Sequence, residues 1–196
     1  HIRSAASAGV HLMTFDSAHE LIKIKTANAD AKVVLRMKTD DGHAKQGFNA
    51  KFGADISSAP ALLGLAHELA LNMVGVSFHV GTDCTNPTAY LLAVRAARTV
   101  FDEAARFGFQ LTLLDIGGGF PGNADSGDFE AIAAVLRPEV DALFPAHVTV
   151  IAEPGRYFVA SAFTLAVAVT SVRRLVPTVS EHALIEDAPV EVDAST

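Results

Sequence analysis

Three consecutive glycines, Gly117–Gly119, follow an apolar run and an acidic residue in the segment LTLLDIGGGFPG at 111–122. The apolar run predicts a strand buried on both faces, with Asp115 near its end. Glycines directly after a buried strand allow successive backbone N–H groups to turn toward one point, and that geometry suits a phosphate. A flexible turn is the alternative interpretation of these residues alone, so the residues around them must decide between the two.

Each of five predicted strands has a polar side chain at or near its carboxyl end. These residues are Asp16, Arg36, His79, Asp115 and Glu153. In a parallel α/β fold the carboxyl ends of the strands share one rim, and ligands bind there. Taken singly, each residue has an ordinary structural role, such as a packed histidine, a loop cap or a surface ion pair. Five on one rim, with a glycine anion site beside Arg156, indicate a binding or catalytic site.

The sequence lacks the motifs of several other functional classes. No GxxxxGK[ST] segment occurs, so a nucleotide P-loop is not predicted. Neither CxxC nor HExxH occurs and the eight histidines are scattered, which argues against a zinc site. Ser161 has no matching His/Asp relay, and this disfavours a serine hydrolase.

The elements that position the polar residues alternate between strand and helix. Ser17 and Glu20 form an S-x-x-E capping box, and Asn86 followed by Pro87 is typical of a helix start. We predict strands at 10–15, 31–37, 74–80, 111–116 and 148–152. We predict helices at 2–9, at 18–27, from Ser57 or Ser58 to about 71, at 87–107 and at 129–144, then one helical turn at 157–162 and a β-like segment at 163–173.

This alternation predicts an α/β fold with a parallel sheet. The units recur at a spacing of roughly 30 residues, the size of a βα unit, which fits an open doubly wound sheet or most of a (β/α)8 barrel. Five units are three short of that barrel, and an upstream piece would supply them. The glycine strand would then be the seventh and 148–152 the eighth. Loops after strands seven and eight of such barrels commonly hold a phosphate, and Gly117–Gly119 and Arg156 lie in those loops.

Composition limits the class of protein. Of 196 residues, 50% are hydrophobic and 19% charged, so an ordered core is expected. The net charge of −7 argues against nucleic acid as a partner, and no apolar run approaches the roughly 20 residues that span a bilayer. Cys84 is the single cysteine and no signal peptide is evident, which fits a cytoplasmic protein. The start at His1 and the aperiodic, acidic 177–196 lead us to expect a fragment.

Three separated segments resemble the eukaryotic-type ornithine decarboxylases. They are VGVSFHVGTDC at 74–84, LLDIGGGFPG at 113–122 and IAEPGRYFVASAFTLAV at 151–167. MTFDSAHEL at 13–21 and KFGA at 51–54 extend the resemblance over most of the chain. These enzymes belong to the alanine-racemase-fold (fold type III), pyridoxal-phosphate-dependent basic amino acid decarboxylases. Diaminopimelate and bacterial arginine decarboxylases have similar glycine-rich and EPGR motifs but match the flanking residues less well.

The resemblance implies pyridoxal 5'-phosphate as cofactor and assigns roles to individual residues. The cofactor phosphate would be bound by Gly117, Gly118, Gly119 and Arg156, with Thr82 on the same phosphate. Glu153 would face the pyridine nitrogen and keep it protonated, so that the ring withdraws electrons. His79 would stack on the ring, and Arg36 would hydrogen-bond within the same pocket. His79 and Glu153 are therefore the implied catalytic residues.

The implied reaction converts L-ornithine to putrescine, in polyamine biosynthesis, in a cytoplasmic homodimer with Lys51 as an intersubunit ion-pairing residue. The lysine that binds the cofactor covalently would lie upstream of His1, so the chain as given lacks it. One alternative is a non-catalytic homologue that sequesters antizyme. Another is a lysine or arginine decarboxylase, because the residues that recognise the substrate's distal amine lie outside this sequence.

The chain departs from the family pattern in the loops near the implied phosphate site. Asp83 replaces the family's usual glycine, and Gln46–Asn49 replaces a stretch that usually carries an arginine. A negative charge at Asp83 is unfavourable beside a phosphate unless it points away. For domains, we expect the barrel over 1–162, without its first three βα units, and the start of a C-terminal β domain with an acidic loop over 163–196.

Overall fold

The computed structural model describes residues 1–40, 42, 44–122 and 127–171. Within them the strands are β1 (Leu12–Phe15), β2 (Lys32–Arg36), β3 (Asn72–Ser77), β4 (Leu113–Asp115) and β5 (Thr149–Ile151). The helices are α1 (Ile2–Ser7), α2 (Ala18–Ala27), α3 (Ala59–Glu68), α4 (Pro87–Arg106), α5 (Asp128–Leu143) and α6 (Gly155–Val159), and a 3-10 turn covers Ile56–Ser58. Strand and helix alternate as the sequence predicts.

The five strands form one parallel sheet in the order β1-β2-β3-β4-β5. One row of paired residues crosses its carboxyl end, from Arg36 to Ser77, to Asp115 and to Ile151. Parallel neighbours in sequence order, each joined by a helix, form part of the wall of a (β/α)8 barrel. The predicted partial barrel is confirmed, and so is the prediction that the strands end on one rim.

The two faces of the sheet have different environments. Phe15, Leu35 and Leu114 belong to a core that also contains Leu63 of α3 and Ile132 of α5. This burial holds the helices against the outer face of the sheet and is the main favourable contribution to folding. The inner face borders a cavity of about 230 Å³. Its lining includes Thr14, Val34, Leu113, Asp115, Ile151 and Glu153.

Helices α2 and α4 begin where they were predicted, and a side-chain cap precedes each of them. The Ser17 hydroxyl accepts a hydrogen bond from the Glu20 N–H at 3.3 Å, and α2 spans Ala18–Ala27. The Asn86 side chain accepts from the Thr88 N–H at 3.0 Å, with Pro87 as the first residue of α4. Both caps satisfy N–H groups that have no partner inside the helix.

The predicted start of α3 at Ser58 is confirmed, and its predicted end lies three residues too late. Ser58 is the residue before the helix, but its hydroxyl donates to the Asp55 carbonyl at 2.6 Å and so does not cap the helix. A 3-10 turn occupies Ile56–Ser58 instead. The helix ends at Glu68 rather than near Leu71, because Ala70 has a left-handed φ of +47° and turns the chain into β3.

The chain divides into two compact units, His1–Phe163 and Thr164–Thr196. The described residues of the second unit, 164–171, form neither helix nor strand. The predicted β-like segment at 163–173 therefore does not form a strand over its described part, and 172–173 lie outside the described residues. The division at 162/163 and the C-terminal β domain remain predictions.

No helix in the described part of the chain combines the length and the apolarity needed to cross a membrane.

Gly75 of β3 gives a test of how closely the strands pack. A Cβ at this position would lie 2.3 Å from the Leu113 carbonyl oxygen of β4. We expect Gly75→Ala to destabilise the natural full-length protein by about 1–3 kcal/mol, because the strands would have to separate. The urea midpoint measures the effect. Gly155→Ala is the matched control, since no atom outside its chain neighbours and the backbone of its own helix lies within 4 Å of its Cβ position. Equal midpoints for the two variants would contradict this account of the sheet.

Candidate active site

The glycine run after β4 adopts a backbone that only glycine accommodates there. Gly117 and Gly119 have φ values of +62° and +94°. A Cβ on Gly117 would lie 2.0 Å from the Phe78 carbonyl oxygen, and one on Gly119 would lie 2.1 Å from the Gly81 carbonyl oxygen. Both distances are far below van der Waals contact. The run is therefore a fixed turn packed against the loop after β3, and not a flexible one.

Three strand ends converge on Gly118. A Cβ at this position would lie 2.7 Å from the Glu153 carbonyl oxygen and 3.1 Å from His79 Nε2. The Glu153 N–H donates to the Gly117 carbonyl at 2.7 Å, and the Cys84 N–H donates to the Gly119 carbonyl at 2.9 Å. These contacts join the loops after β3, β4 and β5. They bring His79 and Glu153 to the glycine turn.

The turn presents hydrogen-bond donors that an anion can use. The N–H groups of Gly118 and Gly119 donate to no acceptor among the described residues. Helix α6 packs against Gly122, three residues after the turn, where a Cβ would lie 2.8 Å from the Arg156 carbonyl oxygen. The Arg156 side chain is exposed and has no ion-pair partner within the described ranges. Free N–H groups in the turn and an unpaired arginine in α6 are donors of the kind that suit a phosphate.

Thr82 lies in the loop that packs on the glycine turn, between Gly81 and Cys84. Its backbone N–H donates to the Gln46 carbonyl at 2.9 Å, and its carbonyl accepts from the Lys45 N–H at 3.0 Å. Its backbone groups are therefore engaged. The Thr82 hydroxyl is the group that remains to contact a ligand.

The His79 ring is held in one orientation. Its Nδ1 accepts a hydrogen bond from the Gly81 N–H at 3.0 Å, which assigns the ring proton to Nε2. The ring of Phe48 meets it edge-on, with centroids 5.0 Å apart. Burial, and secondly the charge of Arg36, lower the pKa of His79 below its usual value. His79 is therefore a neutral, oriented ring at neutral pH.

Two carboxylates and one guanidinium lie at the inner rim. Asp115 is buried and accepts hydrogen bonds from the Gly117 N–H, at 2.9 Å, and from Ser77. Burial raises the pKa of Asp115, and the two hydrogen bonds and Arg36 oppose that rise. Burial and then the charge of Asp115 raise the pKa of Glu153, and Arg36 opposes this as well. The Arg36 guanidinium also lies over the Phe52 ring, 5.0 Å from its centroid.

Not every rim residue faces this site. Asp16, at the end of β1, accepts a hydrogen bond from the Gly53 N–H at 2.9 Å and so anchors the loop between β2 and α3. That loop contributes Phe48 and Phe52, which the sequence did not identify as site residues. Ser77 was missed as well. Of these three, only Ser77 carried a signal, because it is a polar residue within an apolar predicted strand, two residues before His79.

The arrangement fits the pyridoxal phosphate that the resemblance implies. The glycine turn and Arg156 suit its phosphate, the His79 ring suits its aromatic face, and the Glu153 carboxylate suits a protonated ring nitrogen. In the described ranges, no group of three or more His, Cys, Asp and Glu side chains is placed to hold a metal ion.

Comparisons with known proteins give the family. Residues 1–160 match the family model described as pyridoxal-dependent decarboxylase, pyridoxal binding domain. The chain is 53% identical over 169 residues to an ornithine decarboxylase of Mus musculus, covering 85% of this chain and 37% of that protein. It is 48% identical over 197 residues to antizyme inhibitor 2 of Xenopus laevis, covering 99% of this chain and 42% of that protein.

Solved structures agree with the sequence comparison. The arginine decarboxylase of Paramecium bursaria Chlorella virus bound to agmatine superposes with a TM-score of 0.76 and 35% identity, covering 80% of this chain and 42% of that one. The chain thus spans about two fifths of the length of the relatives that it matches. The predicted resemblance, the partial alanine-racemase-type barrel and the cofactor are confirmed. The chain belongs to the pyridoxal-dependent decarboxylases, and residues 1–160 are its pyridoxal-binding domain.

Proposed function

We propose that the natural full-length protein converts L-ornithine to putrescine and CO₂ with pyridoxal phosphate. The observation that carries the proposal is the convergence of His79, Glu153 and the glycine turn at Gly118, where a Cβ would lie 3.1 Å from His79 Nε2 and 2.7 Å from the Glu153 carbonyl. The similarity to ornithine decarboxylases supports the choice of substrate. When bound, the cofactor supplies the electron sink for the pair left on Cα as CO₂ departs.

The phosphate site would use four groups of this chain. Gly118 and Gly119 would donate their free N–H groups, Thr82 its hydroxyl and Arg156 its guanidinium. The turn needs no rearrangement to do so, because the Phe78 and Gly81 carbonyls already pack against Gly117 and Gly119. A preformed donor set binds an anion without the cost of ordering a loop.

The ring site would use His79 and Glu153. His79 is neutral and fixed by Gly81 and Phe48, so it would contact the ring face without adding a positive charge beside a pyridinium. The raised pKa of Glu153 makes its carboxylate a stronger hydrogen-bond acceptor, which favours a proton on the ring nitrogen. Arg36 would limit this effect, since its positive charge opposes the rise in the pKa of both acids.

Two other functions remain as alternatives within the same family. A non-catalytic protein that binds antizyme has support from the 48% identity to antizyme inhibitor 2. A lysine or arginine decarboxylase has support from the fold similarity to an arginine decarboxylase. The complete set of glycine turn, His79, Glu153 and Arg156 favours an enzyme, because a binding protein has no need of a cofactor site. We also propose a homodimer in which Lys51, an exposed residue, pairs across the interface.

Substrate choice is tested with the purified full-length protein loaded with pyridoxal phosphate. We expect kcat/KM for L-ornithine to exceed the values for L-lysine and L-arginine, measured as CO₂ release. A higher value for lysine or arginine would replace the proposed substrate. Cofactor binding without release of CO₂ from any of the three, together with binding to antizyme, would favour the non-catalytic alternative.

Arg156→Ala tests the phosphate site. Loss of a charge-assisted contact is worth about 1.5–3 kcal/mol, so the affinity for pyridoxal phosphate should fall about ten- to a hundredfold. Excess cofactor should restore much of the activity. Arg106→Ala is the matched control, because Arg106 pairs with Glu103 on the exposed surface of α4. Unchanged cofactor affinity in Arg156→Ala would remove Arg156 from the site.

Glu153→Gln tests the ring nitrogen contact. The amide keeps the shape but no longer stabilises a protonated pyridine nitrogen, so we expect kcat to fall by about a hundredfold or more with little change in cofactor affinity. Added cofactor should not restore the rate. Glu139→Gln, on the surface of α5, is the control. Full rescue by cofactor would show that Glu153 does not contact the ring nitrogen.

A further inference from the structure

Asp83 has an unusual conformation beside the glycine turn. It is one of two non-glycine residues with positive φ among those described, at +56°. Its side chain is 10% exposed, and a carboxylate oxygen lies 2.8 Å from Lys45 Nζ. Gly81 and Cys84, which flank Thr82 and Asp83, both contact Gly119. Gly81 does so through its carbonyl and Cys84 through its N–H. A largely buried negative charge therefore belongs to the loop that packs on the anion site.

Such a charge opposes the binding of a phosphate. Two negative groups in a partly buried site repel each other more strongly than in water, because solvent screens them less. An uncompensated carboxylate at Asp83 would weaken the affinity of the turn for any anion. Lys45 is the cation that the structure places in contact with it.

Lys45 is held in that place by its backbone. Its N–H donates to the Thr82 carbonyl at 3.0 Å, and the Thr82 N–H donates to the Gln46 carbonyl at 2.9 Å. Gln46 and Thr82 form an antiparallel bridge. This pair of hydrogen bonds fixes the segment 45–46 across the loop that contains Thr82 and Asp83, so the ion pair does not depend on the lysine side chain alone.

We propose that Lys45 is a positioning residue for the cofactor phosphate. It neutralises Asp83 and holds segment 45–46 against Thr82, so that the glycine turn keeps a net positive potential. The inference rests on the proposed function of the same site. It differs from a direct contact between Lys45 and the phosphate, in which Asp83 would play no part.

A double-mutant cycle separates the two roles. Dissociation constants for pyridoxal phosphate are measured by absorbance titration on the apo form of the full-length protein, for the wild type, Lys45→Met, Asp83→Gly and the double variant. We expect Lys45→Met to weaken binding about three- to fivefold. Asp83→Gly and the double variant should bind within about twofold of the wild type, because glycine accepts the positive φ and brings no charge.

A measurement at high salt and a control variant at a second lysine complete the test. The loss in Lys45→Met should shrink at 1 M salt, where the Debye length is about 3 Å, because the cause is charge repulsion. Lys38→Met is the control, since Lys38 pairs with the exposed Asp55 at 3.3 Å, and its affinity should match the wild type.

Two results would overturn the inference while the proposed function stands. In the first, the double variant binds pyridoxal phosphate as weakly as Lys45→Met does. In the second, all variants bind it with the affinity of the wild type. A wild-type protein that binds no pyridoxal phosphate would overturn the proposed function and this inference together.

Discussion

The contact between the Phe78 carbonyl and Gly117 sets the geometry of the whole rim. Because the loop after β3 packs its backbone onto the glycine turn, with no side chain between them, the strand ends come close enough for His79 and Glu153 to flank Gly118. The sheet below the rim requires a close backbone approach of the same kind. Gly75 admits the Leu113 carbonyl in the same way two rows below the rim, so β3 and β4 are closely spaced along their length. Both the sheet and the candidate site therefore depend on glycines, Gly75 and Gly117, that allow two backbones to approach closely.

The charged residues at the rim form two groups. On the inner side, Arg36 opposes the rise in the pKa of Asp115 and of Glu153. On the outer side, Lys45 pairs with Asp83, and Arg156 has no partner within the described part of the chain. The excess positive charge is therefore at the end proposed for the phosphate, and the excess negative charge is at the end proposed for the ring nitrogen. A ligand with a phosphate at one end and a protonated ring at the other matches this polarity.

The sequence was most informative where one short segment determines the structure. The starts of α2 and α4 follow from caps within a few residues, and the glycine turn follows from its own composition. Ser58 precedes α3 as predicted, although its hydroxyl bonds to the Asp55 carbonyl and not to the helix. The contact between Phe48 and His79 was out of reach, since it depends on the path of the long loop after β2. Nor did composition reveal that Asp16 would serve that loop rather than the site.

That long loop is closed at its base as well as anchored by Asp16. The Ala54 N–H donates to the Arg36 carbonyl at 2.9 Å, and the Lys38 N–H donates to the Ala54 carbonyl at 2.9 Å. The conformational entropy of bringing its two ends together is therefore lost when the chain folds, and not when a ligand arrives. Phe48 and Phe52 are in place against His79 and Arg36 before binding. A ligand at this rim therefore meets aromatic side chains that are already ordered, and none of its binding free energy is spent on closing the loop.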